Sequence, residues 1–131
     1  MSRKKKTDFY ELTYILNPLL SEEQVKEIIE RINEFIKANG GEIVEVQEWG
    51  LRRLAYPIEK KRNGYYVNLY FRASTQMIPK LERVLQLDEN VMRHLVLRYD
   101  AKMMRYYEKK KRGEISVPGE VGASETSSDN K

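Results

Sequence analysis

The chain of 131 residues has no cysteine and only one histidine, His94. Without thiols there can be no disulfide framework and no thiolate metal site. With a single imidazole, a zinc or iron centre would need almost only carboxylate ligands, a poor donor set for those metals, so no metal and no cofactor is expected. No apolar run approaches the ~20 residues of a membrane-spanning helix. The opening Met1-Ser2-Arg3-Lys4-Lys5-Lys6 is not followed by the apolar stretch of a signal peptide. The chain is therefore expected to stay in the compartment where it is made. No glycine-rich phosphate loop, Ser-His-Asp set or cysteine nucleophile can be assembled. His94 falls in a strand pattern, where a lone histidine is far more often a packing or surface residue than a catalytic base. The sequence points away from an enzyme.

Charge, by contrast, is abundant: 34% of residues are Asp, Glu, Lys or Arg, with a net charge of +4. It is also segregated. Residues 3–6, 52–62 and 105–112 each carry a net +4, and residues 113–131 carry −3. The rest of the chain is therefore mildly acidic. One charge run usually just solvates a surface, but three basic clusters on an acidic body fit a protein that binds a polyanion such as RNA.

The hydrophobic pattern gives the layout. Residues 9–17 alternate as a strand, with Tyr10, Leu12, Tyr14 and Leu16 on one face, and Asn17-Pro18 breaks it. Ser21 and Gln24 form a capping box, with Leu20 and Val25 as a hydrophobic staple. Val25, Ile28, Ile29, Ile32, Phe35 and Ile36 then make one helical stripe, closed by Asn39-Gly40-Gly41. Residues 42–58 read as extended, with a bulge at Gly50. The polar stretch 59–64 ends in Asn63-Gly64 and reads as a hairpin turn. A third strand over 65–73 puts Tyr65, Val67, Leu69 and Phe71 on one face. A second helix begins near Thr75 or Gln76, with Pro79 in its first turn and Ile78, Leu81, Val84 and Leu85 inward. Val91 to Tyr99 is the fourth strand.

The order implies an α+β fold: a ferredoxin-like β-α-β-β-α-β sandwich, with a four-stranded antiparallel sheet and two helices on one face. Three regions are expected: a basic flexible arm at 1–7, the domain at 8–99, and an extension at 100–131, basic and then disordered. An acylphosphatase-like enzyme of this topology would hold phosphate in a glycine-bearing loop after the first strand. Here that loop is Asn17-Pro18-Leu19-Leu20, without glycine or cation.

The run Gly50-Leu51-Arg52-Arg53-Leu54-Ala55-Tyr56-Pro57-Ile58, preceded by Trp49, resembles the second-strand signature of the bacterial small-subunit ribosomal protein six family. Tyr10-Glu11, Leu16-Asn17-Pro18, Gly64-Tyr65 and Glu89-Asn90-Val91 agree in order, so the resemblance covers roughly residues 8–99. The lysine arm and the tail after Tyr99 fall outside it. The resemblance implies a cytoplasmic, ribosome-associated structural protein. It would bind small-subunit (16S) ribosomal RNA together with ribosomal protein eighteen, as a heterodimer, with no membrane and no small-molecule substrate.

Two other readings share the topology. An RNA-recognition-motif domain would carry stacking aromatics in register on the third strand, whereas Tyr65 and Tyr66 point to opposite faces. A regulatory small-molecule-binding domain would not need three basic clusters. For RNA the candidates are Arg3, Lys4, Lys5 and Lys6 in the arm, Tyr10 on the first strand, Arg93 and Arg98 on the neighbouring fourth, and Lys102 beyond it, sharing one rim. For the partner protein they are Trp49, Gly50, Leu51, Arg52 and Arg53, on a strand expected at the sheet edge, where unpaired backbone groups can meet another chain. Trp49 is an interface anchor or a core residue with about equal weight.

Overall fold

A computed structural model of the chain describes residues 7–113. The arm candidates Arg3 to Lys6 and nearly all of the tail expected to be disordered lie outside those residues. The elements run β1 (Asp8–Leu16), α1 (Glu22–Ala38), β2 (Glu42–Ile58), β3 (Lys61–Ala73), α2 (Met77–Leu87), β4 (Val91–Arg98) and α3 (Ala101–Lys111). Two compact units divide after Arg98.

The first unit is the expected ferredoxin-like sandwich, with antiparallel strands in the order β2-β3-β1-β4. β2 and β4 are thus the outermost strands. Tyr10, Leu12, Tyr14 and Leu16 of β1 and Val67, Leu69, Phe71 and Ala73 of β3 form one side of the core. Val25, Ile28, Ile29, Ile32 and Ile36 of α1 and Met77, Leu81 and Leu85 of α2 form the other. The alternation of the strands and the 3.6-residue period of the helices meet here, so both helices cover one face of the sheet. In α2, Met77 is buried as well as the expected Leu81 and Leu85.

The α1 terminus forms as its sequence dictates. The Gln24 N–H donates to Ser21 Oγ at 3.2 Å, and the Ser21 N–H donates to Gln24 Oε1 at 2.9 Å. Arg31, in the middle of α1, pairs with Asp88, the residue that closes α2, so the pair ties the two helices together.

The β2–β3 hairpin departs from expectation. Asn63-Gly64 does not turn the chain; the two residues lie inside β3, opposite Arg53 and Arg52. The reversal is at Glu59-Lys60, flanked by the pair Ile58 and Lys61. Both turn residues take left-handed backbone, with φ of 51° and 69°. A two-residue loop with two positive φ values matches the twist of a hairpin, at a cost of about 1 kcal/mol for each residue that is not glycine. Replacing the pair by Glu59→Asn and Lys60→Gly should therefore stabilise the protein by about 1 kcal/mol, read as a higher urea midpoint at unchanged slope. An unchanged or lower midpoint would contradict this account of the turn.

Gly64 is glycine for another reason. A Cβ there would lie 2.2 Å from Ile15 Cγ2 and 3.3 Å from Leu54 Cδ2. The glycine lets β1 and β3 close over the side chain of Ile15.

Candidate nucleic-acid and partner interface

The sheet face away from α1 and α2 carries three rows of chemistry. In its middle, Asn68 is fully buried and its side-chain amide donates to Glu11 Oε2 at 2.7 Å and Thr13 Oγ1 at 3.0 Å. Sequence reasoning missed this polar cluster. A polar residue inside the otherwise apolar run of β3 was its one signal. Towards the start of β1, Phe9 stacks on Tyr70 with Arg72 over its ring.

At the other end of this face lies the signature segment of β2. Its register shifts between Glu48 and Gly50, and Gly50 takes φ of 84°, which is the expected bulge. The shift aims Trp49 onto Tyr66, ring centroids 6.3 Å apart, and places the Arg52 guanidinium 5.5 Å from the Trp49 ring. Trp49 remains 38% exposed, so it is a surface residue and not a core one. Leu51, Arg52 and Arg53 are exposed as well. All five partner candidates lie on an outermost strand, which among the described residues has no strand on its outer side.

Beside Leu51 a cleft of about 370 Å³ opens between the β1–α1 connection, the start of α1 and the β2–β3 ribbon, with Pro18, Leu20, Val25 and Tyr65 in its walls. Tyr65 donates its hydroxyl hydrogen to Glu48 Oε1 at 2.7 Å. That bond, with burial second, pushes the Tyr65 pKa up to about 12.

The RNA candidates do not all meet. Tyr10 is in the core, only 4% exposed, with its ring stacked on Phe71. Burial, and then the charge of Asp8, raise its pKa. Its position is set by the alternation that buries Leu12 and Tyr14, so its ring has no face to offer a base. Arg93 and Arg98 are both exposed on β4, which does neighbour β1. Their register partners are Ile15 and Tyr10, an odd separation along the strand. They consequently point to opposite faces, about 16 Å apart, and do not share one rim. Arg98 also pairs with Asp8 at 3.8 Å. Lys102 is exposed on α3, in the second unit.

Among the described residues no cluster of carboxylates or imidazole is arranged to hold a metal, and no helix is long and apolar enough to cross a membrane. His94 sits 3.8 Å from Glu82 of α2.

A family model described as Ribosomal protein S6 matches residues 9–98, which take in both covering helices and all of this sheet but its first residue. The chain belongs to the ribosomal protein S6 family. It is 47% identical to the small ribosomal subunit protein bS6 of Caldanaerobacter subterraneus subsp. tengcongensis over 91 residues, which are 70% of this chain and 96% of that relative. To the small ribosomal subunit protein bS6 of Parabacteroides distasonis it is 43% identical over 102 residues, 78% of this chain and 86% of that relative. The crystal structure of 30S ribosomal protein S6 from Thermotoga maritima superposes with a TM-score of 0.70 at 27% identity, covering 84% of this chain and 100% of the other. The S6 family is a structural, non-enzymatic component of the ribosome. The β2 signature read in the sequence lies on the strand at the edge of this chain's sheet.

Proposed function

We propose that the chain is a structural constituent of the small ribosomal subunit in the cytoplasm, and that it binds 16S ribosomal RNA together with ribosomal protein eighteen. One observation carries the partner half of this reading. β2 is a 17-residue outermost strand, and Trp49, Leu51 and Tyr56 stand exposed along it beside Arg52 and Arg53. A long edge with apolar side chains invites association unless a partner covers it. The work divides along the chain: an arm at 1–7, the domain at 8–99 and an extension at 100–131. Arg3 to Lys6, Arg93, Arg98 and Lys102 supply cations for phosphate. The segment from Trp49 to Arg53 holds the partner.

A stand-alone RNA-recognition reading finds no support on β3. Tyr65 pairs with Leu51 and Leu16 on the helix side, while Tyr66 lies on the other face beneath Trp49.

Affinity purification of the full chain at moderate salt is expected to bring down ribosomal protein eighteen and small-subunit RNA. Recovery of neither would overturn the proposal. The binding should also be salt-dependent, each neutralised phosphate contributing about 0.7–0.9 to the slope of log K against log salt. Deleting residues 1–6 should flatten that slope by about 3. An unchanged slope would show that the arm only keeps the chain soluble.

A further inference from the structure

α3 lies beyond residue 98, where the family match ends. It begins at Asp100, whose carboxylate accepts the Met103 N–H at 2.8 Å. At 100° per residue, Lys102, Arg105, Lys109 and the closing residue Arg112 fall within an arc of about 80°. All four are exposed. Among the described residues no carboxylate pairs with Lys102, Arg105 or Lys109. Glu108, the one acid of the helix, borders the arc on the Arg112 side, about 40° beyond it.

Complementing the helix dipole explains cations in the last turn, such as Lys109 to Lys111. It does not explain Lys102, in the first turn behind the Asp100 cap, or Arg105, in the second turn.

The chemistry of the row fits RNA. Successive cations are spaced about 5 Å along the axis, over about 15 Å in all, so they can follow several phosphates of one strand. Tyr106 borders the arc and is 44% exposed, placing an aromatic ring beside the cations where a base could stack. A membrane surface fits poorly, because insertion needs an exposed apolar face. The apolar side of α3 is occupied: Tyr107 is buried, with the Tyr99 ring edge-on at 6.4 Å and the Lys110 ammonium 5.8 Å from its centroid.

We propose that the face of α3 bearing Lys102, Arg105, Lys109 and Arg112 is a second RNA-backbone-binding surface, outside the family-matched domain. This deepens the ribosomal-RNA reading above and rests on it for the identity of the RNA.

The test uses the full chain and two probes: a 16S platform fragment offered with ribosomal protein eighteen, and an unrelated RNA duplex of about 20 base pairs offered to the chain alone, long enough to span α3. Lys102→Gln, Arg105→Gln and Lys109→Gln together keep good helix formers and remove three charges. On the duplex, the triple variant should lose affinity at least about tenfold and flatten the salt slope by about 2. The charge-preserving set Lys102→Arg, Arg105→Lys and Lys109→Arg should retain both, which guards against a mere folding defect. Unchanged duplex binding by the glutamine variant would overturn the proposal, as would loss confined to phosphatidylserine vesicles. Failure of the wild type on the platform fragment would instead overturn the ribosomal reading, while charge-dependent duplex binding still supported the α3 surface.

Discussion

Replacing Gly64 with alanine should destabilise the protein by about 2–3 kcal/mol. The direction is informative, because a glycine in an unstrained strand normally gains about 0.4–1 kcal/mol from the same change as the unfolded chain loses freedom. Gly64 does not have positive φ, so its backbone conformation places no demand on it. The obstacle is Ile15, whose Cγ2 would stand 2.2 Å from the new methyl group. That carbon is a branch on Cβ and cannot swing aside without a change of χ1, which is tightly restricted in a β-branched residue. Ile15 is itself buried, so it has little space to turn into. Relief must come from parting β1 and β3 near their ends or from forcing a rotamer. A partner mutation separates this cause from others. In the Ile15→Ala background the clash is gone, so Gly64→Ala should cost much less there, with an interaction energy of at least about 1 kcal/mol in a double-mutant cycle. Urea unfolding of the four proteins measures it. Simple additivity, or stabilisation by Gly64→Ala alone, would contradict the packing role.

The second large effect is expected on association. Arg52→Glu together with Arg53→Glu should weaken binding to ribosomal protein eighteen at least about 100-fold, or about 2.7 kcal/mol. Both side chains are exposed on the outermost strand, and Arg52 meets Gly64 across the β2–β3 pair, so neither supports the core. The fold should therefore survive, with a melting temperature within a few degrees of the wild type. Two features make the site sensitive. Arg52 lies over the Trp49 ring, so its reversal disturbs the aromatic anchor as well as the charge. Alternation sends Arg53 to the opposite face, so the pair presents cations on both sides of one edge. Titration calorimetry of the two purified proteins provides the comparison. Wild-type affinity in the reversed variant would remove this segment from the partner interface.

The layout of the first unit was legible because its local signals agree with one another. Ser21 and Gln24 mark the start of α1, the stripe from Val25 to Ile36 buries as its period requires, and Gly50 bends β2 as a glycine inside a strand pattern predicts. The errors share one physical cause. Asn63-Gly64 has the local chemistry of a turn, but the glycine answers to Ile15, a residue 49 positions away in sequence. Glu59-Lys60 has no turn signature and is held by the strands on either side of it. Likewise the place of Tyr10 at the start of a strand suggests contact with RNA, yet the parity that buries Leu12 buries it too. Strand adjacency alone puts Arg93 and Arg98 on one rim; their odd separation divides them between two faces. The composite of Trp49, Tyr66 and Arg52 could not be seen in the sequence, because it depends on the register shift at Gly50. Stacking aromatics are found by register, and register between strands is a tertiary property.

The central claim is that recognition is shared: the chain contacts RNA by charge, and a second protein seated on β2 completes the surface. An acidic body with separated arginines, and with buried Asn68 between Tyr66 and Tyr70 on the open face of β3, should bind RNA weakly alone. A partner seated on β2 adds contacts and meets part of the ordering cost before RNA arrives. The decisive measurement is the affinity for a 16S platform fragment, determined for the full chain with and without ribosomal protein eighteen at one fixed salt concentration. The account predicts weak, sequence-indifferent binding alone and a gain of at least about 100-fold with the partner. Tight, sequence-specific binding by the chain alone, unchanged by the partner, would contradict it.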